Sequence, residues 1–374
     1  MDMLLILNRL PSQHKTQMDA ILNRRHALTS LTDAEFEAIL PQLAAELESH
    51  GVLRESYSDS EIQKDWALLL KKDVTTNPFN ISATEVAGMK VMRKHMRHFH
   101  SVRNYKGHSV ESLWTQPCLE KALRFNRAQH STPYASEIIR SLSFANGLGK
   151  VTMYRPLMAK KVVSYLANKD GLTDVRVLDV CAGWGGRMIG AKSVGIKVHY
   201  TGIDPCEKTY AALRAIRDEL ELTNVTIINK PAEVALQELD PGAGATYDIA
   251  LTSPPYYNLE IYSDEPTQSV SSSAVSDGYQ TWLNEFLNPV IAGVIRLGVK
   301  YSCWSVKNFK TDKKYDLLDD VIRIHGEHGW HLLDGAVFTM ANSRRPGQKA
   351  ASEDVAPKKT EECTYIFVRG VDVI

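Results

Sequence analysis

No apolar run in this sequence approaches the roughly 20 residues that a membrane-spanning helix requires. The N-terminal stretch Met3 to Leu7 is too short for a signal peptide, and Asp2 stands where a basic flank would be. Cysteine is scarce: Cys118, Cys181, Cys206, Cys303 and Cys363 are scattered, with no CxxC pair. An odd, dispersed set argues against a disulfide framework and reads as reduced thiols. The expectation is a soluble, cytoplasmic protein with no membrane partner. Net charge is also lacking, since 44 basic residues balance 44 acidic ones. No internal repeat is evident, and only Ser269 to Ser276 is low in complexity, which reads as a loop. What remains is a globular composition, 44% hydrophobic and 24% charged, in 374 residues. Such a chain is neither disordered nor fibrous, and its length suggests two domains.

The zero net charge hides a local excess. From Val86 to Lys161 there are fourteen Lys and Arg against three Glu. A basic belt inside a neutral chain can be an electrostatic footprint for a polyanion, or merely a set of solvated helix faces.

The first part of the chain reads as helical. Phe36, Ile39, Leu40, Leu43 and Leu47 recur at helical spacing after Leu31-Thr32-Asp33, and Gly51 ends the run. Further helices are expected over Glu61–Lys72, Lys90–His100, Ser109–Phe125 and Ala135–Phe144, with Asn77-Pro78 breaking the pattern between the first two. Asn146-Gly147-Leu148-Gly149 reads as a hinge. The expected division is therefore residues 1–148, helical, and 149–374.

After Gly149 strands alternate with helices. Strands are expected at Val175–Val180, Ile196–Ile203, Val225–Asn229, Ile249–Ser253 and Tyr301–Ser305. Helices are expected at Arg187–Val194, Glu207–Leu220, Glu233–Leu239, Trp282–Arg296 and Tyr315–His328. Alternation of this kind implies an α/β fold with a parallel, doubly wound sheet. The final pair, His331–Met340 and Thr364–Arg369, has no helix between its members, so one is expected to run antiparallel at the edge.

Two motifs carry chemistry. In Val177-Leu178-Asp179-Val180-Cys181-Ala182-Gly183-Trp184-Gly185-Gly186-Arg187, a hydrophobic strand enters a glycine-rich turn and then a helix. Glycines let a ligand approach the backbone, and the helix amides face it. Asp204, twenty-one positions after Gly183, ends the second strand, where a carboxylate can accept from both hydroxyls of a ribose. The pair describes an adenosine-type pocket. The second motif, Ser253-Pro254-Pro255-Tyr256, ends the fourth strand. Consecutive prolines fix the backbone and leave carbonyls free to accept from an amino group, while Ser253 adds a hydroxyl and Tyr256 a flat ring.

With these residues the sequence resembles the S-adenosylmethionine-dependent amino-methyltransferases that modify the exocyclic nitrogen of cytosine (N4) or adenine (N6) in DNA. Their signature is Asp, Asn or Ser, then Pro-Pro and an aromatic, matched by Ser253 to Tyr256. Tyr154-Arg155-Pro156 matches an aromatic-x-Pro motif that touches the cofactor, and Glu362 to Val368 resembles the family's last strand. The resemblance covers residues 150–374 and implies a Rossmann-like class I methyltransferase fold. It implies S-adenosyl-L-methionine held by Tyr154, Pro156, Asp179, Ala182, Gly183, Trp184, Gly185, Gly186, Asp204 and Glu233. Catalysis would fall to Ser253, Pro254, Pro255 and Tyr256, acting on a base flipped from duplex DNA. The setting implied is DNA modification, with or without a restriction partner, in a bacterial or phage-infected cell. A Ser-type motif is more usual in the cytosine enzymes, but the base stays open. Gly-Trp-Gly-Gly departs from the more frequent Gly-x-Gly spacing, and Pro231 or Ala232 stands where relatives carry an adenine-contacting Asp.

Under that resemblance the helical residues 1–148 are the candidate for DNA recognition, with Lys90, Arg93, Lys94 and Arg97 on phosphates and Arg344 and Arg345 as a second clamp. Pro117-Cys118 precedes the cofactor loop, which argues against a carbon-5 methyltransferase that uses a cysteine nucleophile. His95, His98 and His100 lack a nearby Cys or carboxylate, so no metal is expected. The alternatives are an RNA or protein amino-methyltransferase, whose relatives carry Asn where Ser253 stands, or a non-catalytic DNA-binding protein on the same fold.

Overall fold

The computed structural model describes residues 24–82, 84–149, 151–239, 246–269, 278–341 and 361–370. The chain divides into two compact units. One comprises the residues up to Ser56 with His98–Thr152, the other Tyr57–Arg97 with Met153 onward. The single boundary expected at 148–149 is therefore replaced by an exchange of segments: residues 57–97 pack with the second unit.

The first unit is built on helices Asp33–His50, Gln116–Ala128 and Ala135–Ala145. Thr32 and Glu35 close a capping box at the first of these, each side chain accepting from the other's backbone N–H. Phe36, Leu40, Leu43 and Leu47 then meet Leu119, Leu123, Ile138 and Leu142 in one core. The helix expected from Ser109 starts only at Gln116. Ser109 and Ser112 bond each other's backbone N–H through their hydroxyls, at 2.8 and 3.0 Å, and that local turn displaces the helix.

The second unit carries a nine-stranded sheet. Its strands are β1 (Asn80–Ser82), β2 (Asp174–Asp179), β3 (Lys197–Ile203), β4 (Val225–Ile228), β5 (Ile249–Thr252), β6 (Tyr301–Val306), β7 (Trp330–Leu332), β8 (Phe338–Ala341) and β9 (Cys363–Arg369). The order is β1-β8-β9-β6-β5-β2-β3-β4, with β7 also paired to β9. Strands β2 to β6 pair in parallel, whereas β9 runs antiparallel to β6, β7 and β8. This mostly parallel mixed sheet with intervening helices is an α/β, Rossmann-like fold. The antiparallel strand does not lie at the edge, however; it is inserted between β6 and β8. The strand expected over His331–Met340 is interrupted at Gly335, whose φ of +72° suits glycine, and both halves pair with β9.

Helix Pro156–Asp170, absent from the sequence reading, fastens residues 57–97 to the sheet. The Lys160 Nζ donates to the carbonyls of Leu69, Leu70 and Lys72 at 2.8, 2.8 and 3.1 Å. The Lys161 Nζ donates to those of Thr76, Asn77 and Asn80 at 3.3, 2.8 and 2.9 Å. The first set takes up carbonyls at the end of helix Asp59–Lys71, where a cation also meets the negative end of the helix. Burial lowers both ammonium pKa values. Among the described residues, no helix is long and apolar enough to cross a membrane.

Candidate active site

Parallel pairing of β2 with β3 and β5 sets Asp179, Ile203 and Thr252 at one end of the sheet. The loops that follow therefore meet there. The Ala182 N–H donates to the Ile203 carbonyl at 2.8 Å, tying the glycine loop to β3.

Asp204 follows β3 and is 8% exposed. Its two carboxylate oxygens accept from the backbone N–H groups of Gly183 and Cys206 at 2.9 and 3.0 Å. Each oxygen keeps a further lone pair for a ligand hydroxyl. Burial pushes its pKa up to about 6. Gly183 has φ +51°, and nothing lies nearer than 3.7 Å to where a Cβ would stand. Trp184 is buried, its ring 5.9 Å from that of Tyr262.

Other residues of the loop support it from beneath. Asp179 is fully buried and accepts from Arg187 Nε at 2.8 Å, Tyr200 Oη at 2.7 Å, Thr252 Oγ1 at 3.1 Å and the Cys181 N–H at 3.3 Å. With four donors around it, its role is to hold β2, β3 and β5 in register with the loop. A Cβ on Gly186 would fall 2.1 Å from the Tyr154 carbonyl oxygen, so this glycine permits helix packing. Gly185, at φ +84°, sits against Leu213. Pro156 opens its helix and lies against Gly88. Tyr154 lies under the Arg187 guanidinium, 5.1 Å from it, and bonds Thr364 Oγ1 at 3.2 Å.

Glu233 lies in the first turn of helix Ala232–Glu238, which follows β4. Its Oε2 is buried without a hydrogen-bond partner, and burial raises the carboxyl pKa. An orphaned acceptor in the helix after β4, the strand paired with β3, fits the amino group of an adenine. The open Gly183 turn, Asp204 and Glu233 together fit S-adenosylmethionine.

Ser253 follows β5, and its hydroxyl donates to the Ser305 carbonyl at 3.1 Å. That bond uses its one proton, so toward the site it can only accept. Pro254 is buried and Pro255 half-buried. Tyr256 is 6% exposed and stacks on Phe309, ring centroids 5.6 Å apart. One face of the ring expected to stack on a base is thus already occupied. Its hydroxyl is buried without a partner, and burial holds its pKa well above the usual phenol value.

The structure adds contacts that no motif marked. Glu260 accepts a hydrogen bond from the Tyr262 hydroxyl. Burial and the neighbouring Glu362 carboxylate push Glu260 up to about 7. Glu362 is itself raised by burial, with Lys307 Nζ 3.7 Å away. A chain of hydroxyls, Tyr154 to Thr364 to Ser305, runs behind Ser253, the last link being 2.6 Å. Only the final fold brings these residues together, from the loops after β5 and β6 and the start of β9.

The basic residues of the belt are largely engaged. Lys94 Nζ is 2.7 Å from Glu219 and 3.2 Å from Asp59. Lys90 Nζ is 3.8 Å from Glu61 and lies over the Tyr57 ring. Arg93 donates to the Tyr57 hydroxyl at 3.3 Å. Arg124 and Arg127 pair with Glu37 and Asp33, each at 2.8 Å. Arg97 is exposed. The segment is also shared between the two units, so its charge count does not belong to one body. Arg344 and Arg345 lie outside the described residues. Among the described residues, no cluster of three or more His, Cys, Asp or Glu is placed to hold a metal ion.

No family model matches the chain, and no curated protein is similar to it. Among solved structures, it is similar to a magnesium protoporphyrin IX methyltransferase from Synechocystis with bound S-adenosylmethionine, at 13% identity and a TM-score of 0.35, over 59% of this chain and 87% of that one. A methyltransferase from Agrobacterium tumefaciens matches at 14% identity and 0.36, over 59% and 64%. A putative RNA methyltransferase from Pyrococcus horikoshii matches at 13% and 0.32, over 58% and 84%.

Proposed function

We propose that this chain is an S-adenosylmethionine-dependent methyltransferase acting on the exocyclic amino group of a flipped cytosine (N4) or adenine (N6) in DNA. One observation carries the reading: the Ser253–Tyr256 turn and the Gly183–Asp204 pocket issue from neighbouring parallel strands at the same end of the sheet. When bound, the cofactor supplies an electrophilic methyl group on a sulfonium. Asp204 accepts from the ribose hydroxyls, Glu233 from the adenine amino group, and the open Gly183 turn admits the methionine end.

An aromatic amine is a poor nucleophile because its lone pair is delocalised into the ring. Ser253 Oγ and the Pro254 carbonyl accept from its two N–H groups, localise that pair and aim it, so positioning supplies much of the acceleration. The cysteine chemistry agrees with attack by an amine. Burial raises the Cys181 and Cys303 thiols far above neutrality, so neither is a thiolate nucleophile.

The test is methyl transfer from tritiated cofactor to DNA, RNA and protein in parallel, followed by nucleoside mass spectrometry of the DNA. The expected product is N4-methylcytosine or N6-methyladenine. Ser253→Ala is expected to lower turnover about 10-fold, the worth of one positioning hydrogen bond, with cofactor affinity unchanged. Label found only in RNA or protein would overturn the substrate reading.

A further inference from the structure

The four residues of the Ser253 motif contain no group that can take up a proton. A serine hydroxyl is not basic enough, the prolines offer only carbonyls, and the Tyr256 phenol is buried. Yet methylation of an amine must release one. Asp179 is occupied by four donors, and Asp204 belongs to the cofactor pocket. Among the described residues, the carboxylates beside Tyr256 are Glu260, which follows a turn closed by the Leu259 N–H on the Tyr256 carbonyl at 2.8 Å, and Glu362, and both raise the Tyr256 pKa. Glu362 is paired with Lys307. Glu260 instead holds a neutral donor, the Tyr262 hydroxyl, and the Tyr262 ring lies against Trp184 of the glycine loop.

Resting on the amino-methyltransferase reading, we propose that Glu260 is a catalytic residue, the proton acceptor of the transfer, oriented by Tyr262. The amine lone pair forms the N–CH3 bond while the C–S bond breaks, its electron pair staying on sulfur as a neutral thioether. Once methylated, the cationic nitrogen turns the N–H held by Ser253 Oγ toward the Glu260 carboxylate and passes it that proton. The N–H electron pair returns to nitrogen, and Glu260 releases the proton to water.

The surroundings tune this group for the task. Glu260 faces Tyr262, Tyr256, Glu362 and Lys307. Burial and the like charge of Glu362 raise it to about 7, outweighing Tyr262 and Lys307, so it can both gain and lose a proton near neutrality. Glu362 is thereby a positioning and tuning residue for Glu260.

Wild-type transfer is first measured on DNA, RNA and protein, and single-turnover rates are then followed from pH 5.5 to 9 on whichever accepts methyl. The wild-type rate is expected to rise through about pH 7. Glu260→Gln is expected to fall about 100-fold and to lose that rise, with cofactor affinity by calorimetry unchanged. Glu260→Asp should keep the pH dependence at a reduced rate, which a purely structural role would not produce. Glu362→Gln should move the inflection to lower pH by removing the like charge. A Glu260→Gln variant with the wild-type rate and inflection would overturn the proposal. Transfer to RNA or protein but not DNA would overturn only the DNA reading, and the same variants would still decide Glu260. No transfer to any of the three overturns both.

Discussion

Asp204 shows how a single side chain links folding, pH and ligand binding. An aspartate raised to about 6 holds a proton in the folded protein that the unfolded chain releases near pH 4. Between those values stability falls as pH rises, the reverse of a salt-bridged carboxylate, and above about pH 6 the buried charge is carried at a cost. Only the ionised form offers both oxygens as charged acceptors to the two ribose hydroxyls. Cofactor affinity is therefore expected to fall as pH drops through about 6, approaching tenfold per unit below it. Calorimetry from pH 4.5 to 8 checks this, and Asp204→Asn should bind weakly with no such dependence. A pH-independent affinity in the wild-type protein would remove Asp204 from the pocket. Its position after a strand made it legible in the sequence. The roles of Asp179 and Glu260 were not legible, because each is decided by partners from other parts of the chain: Tyr200 and Thr252 for one, Glu362 and Lys307 for the other.

At the scale of elements, the glycine loop separates into two kinds of glycine. Gly183 is left-handed, with only ordinary contacts where a Cβ would stand, whereas Gly186 is closed by the Tyr154 backbone. Gly183→Ala is expected to cost about 1 kcal/mol of backbone strain and to weaken the cofactor far more than the fold. Gly186→Ala must push apart a helix and the Tyr154 carbonyl, so its main effect is a loss of stability without any ligand, of about 2 kcal/mol or more. Thermal melts with and without cofactor distinguish them, and equal losses in apo stability would refute the division. Sequence periodicity cannot make this distinction, because both glycines satisfy the same motif. The helix Asp33–His50 was legible since one face is apolar and Thr32 and Glu35 cap it. The helix Pro156–Asp170 was hidden because it is buried on nearly all sides, including Lys160 and Lys161, whose charges imply a surface that they do not occupy.

At the scale of the whole molecule, the change from helical to alternating pattern near Gly149 was visible, but it does not mark where the units part. Residues 57–97 belong to the second unit through contacts with residues more than 80 positions away, which no local pattern encodes. A chain starting at residue 149 would leave the Lys160 and Lys161 ammoniums without the six carbonyls they donate to. It would also lack Ile62, Leu69, Val91 and Met92, all buried in the second unit, and so bare the apolar surface they cover; this chain is expected to be unfolded by circular dichroism. Joining Arg97 to Met153 through a Gly-Ser linker keeps the second unit whole, and that chain should fold and bind cofactor. If the 149–374 chain melts cooperatively on its own, the account of residues 57–97 is wrong.

The same partition decides which cations remain for a polyanion. Lys94 is already paired with Glu219 and Asp59, and Lys90 approaches Glu61. Arg97 is exposed at the end of the same basic stretch. A phosphate contact acts by releasing a counterion, whereas a lysine paired with carboxylates has little counterion to release. Arg97→Gln is therefore expected to flatten the slope of log DNA affinity against log salt by about 0.9, equally for all sequences. Lys94→Gln should leave that slope unchanged and instead lower the melting temperature slightly, because Glu219 loses a partner. Salt titrations of the two variants read both effects at once. Equal slopes for Arg97→Gln and wild type would remove this end of the basic stretch from the DNA interface, and a flattened slope for Lys94→Gln would show that its ion pairs open when DNA binds.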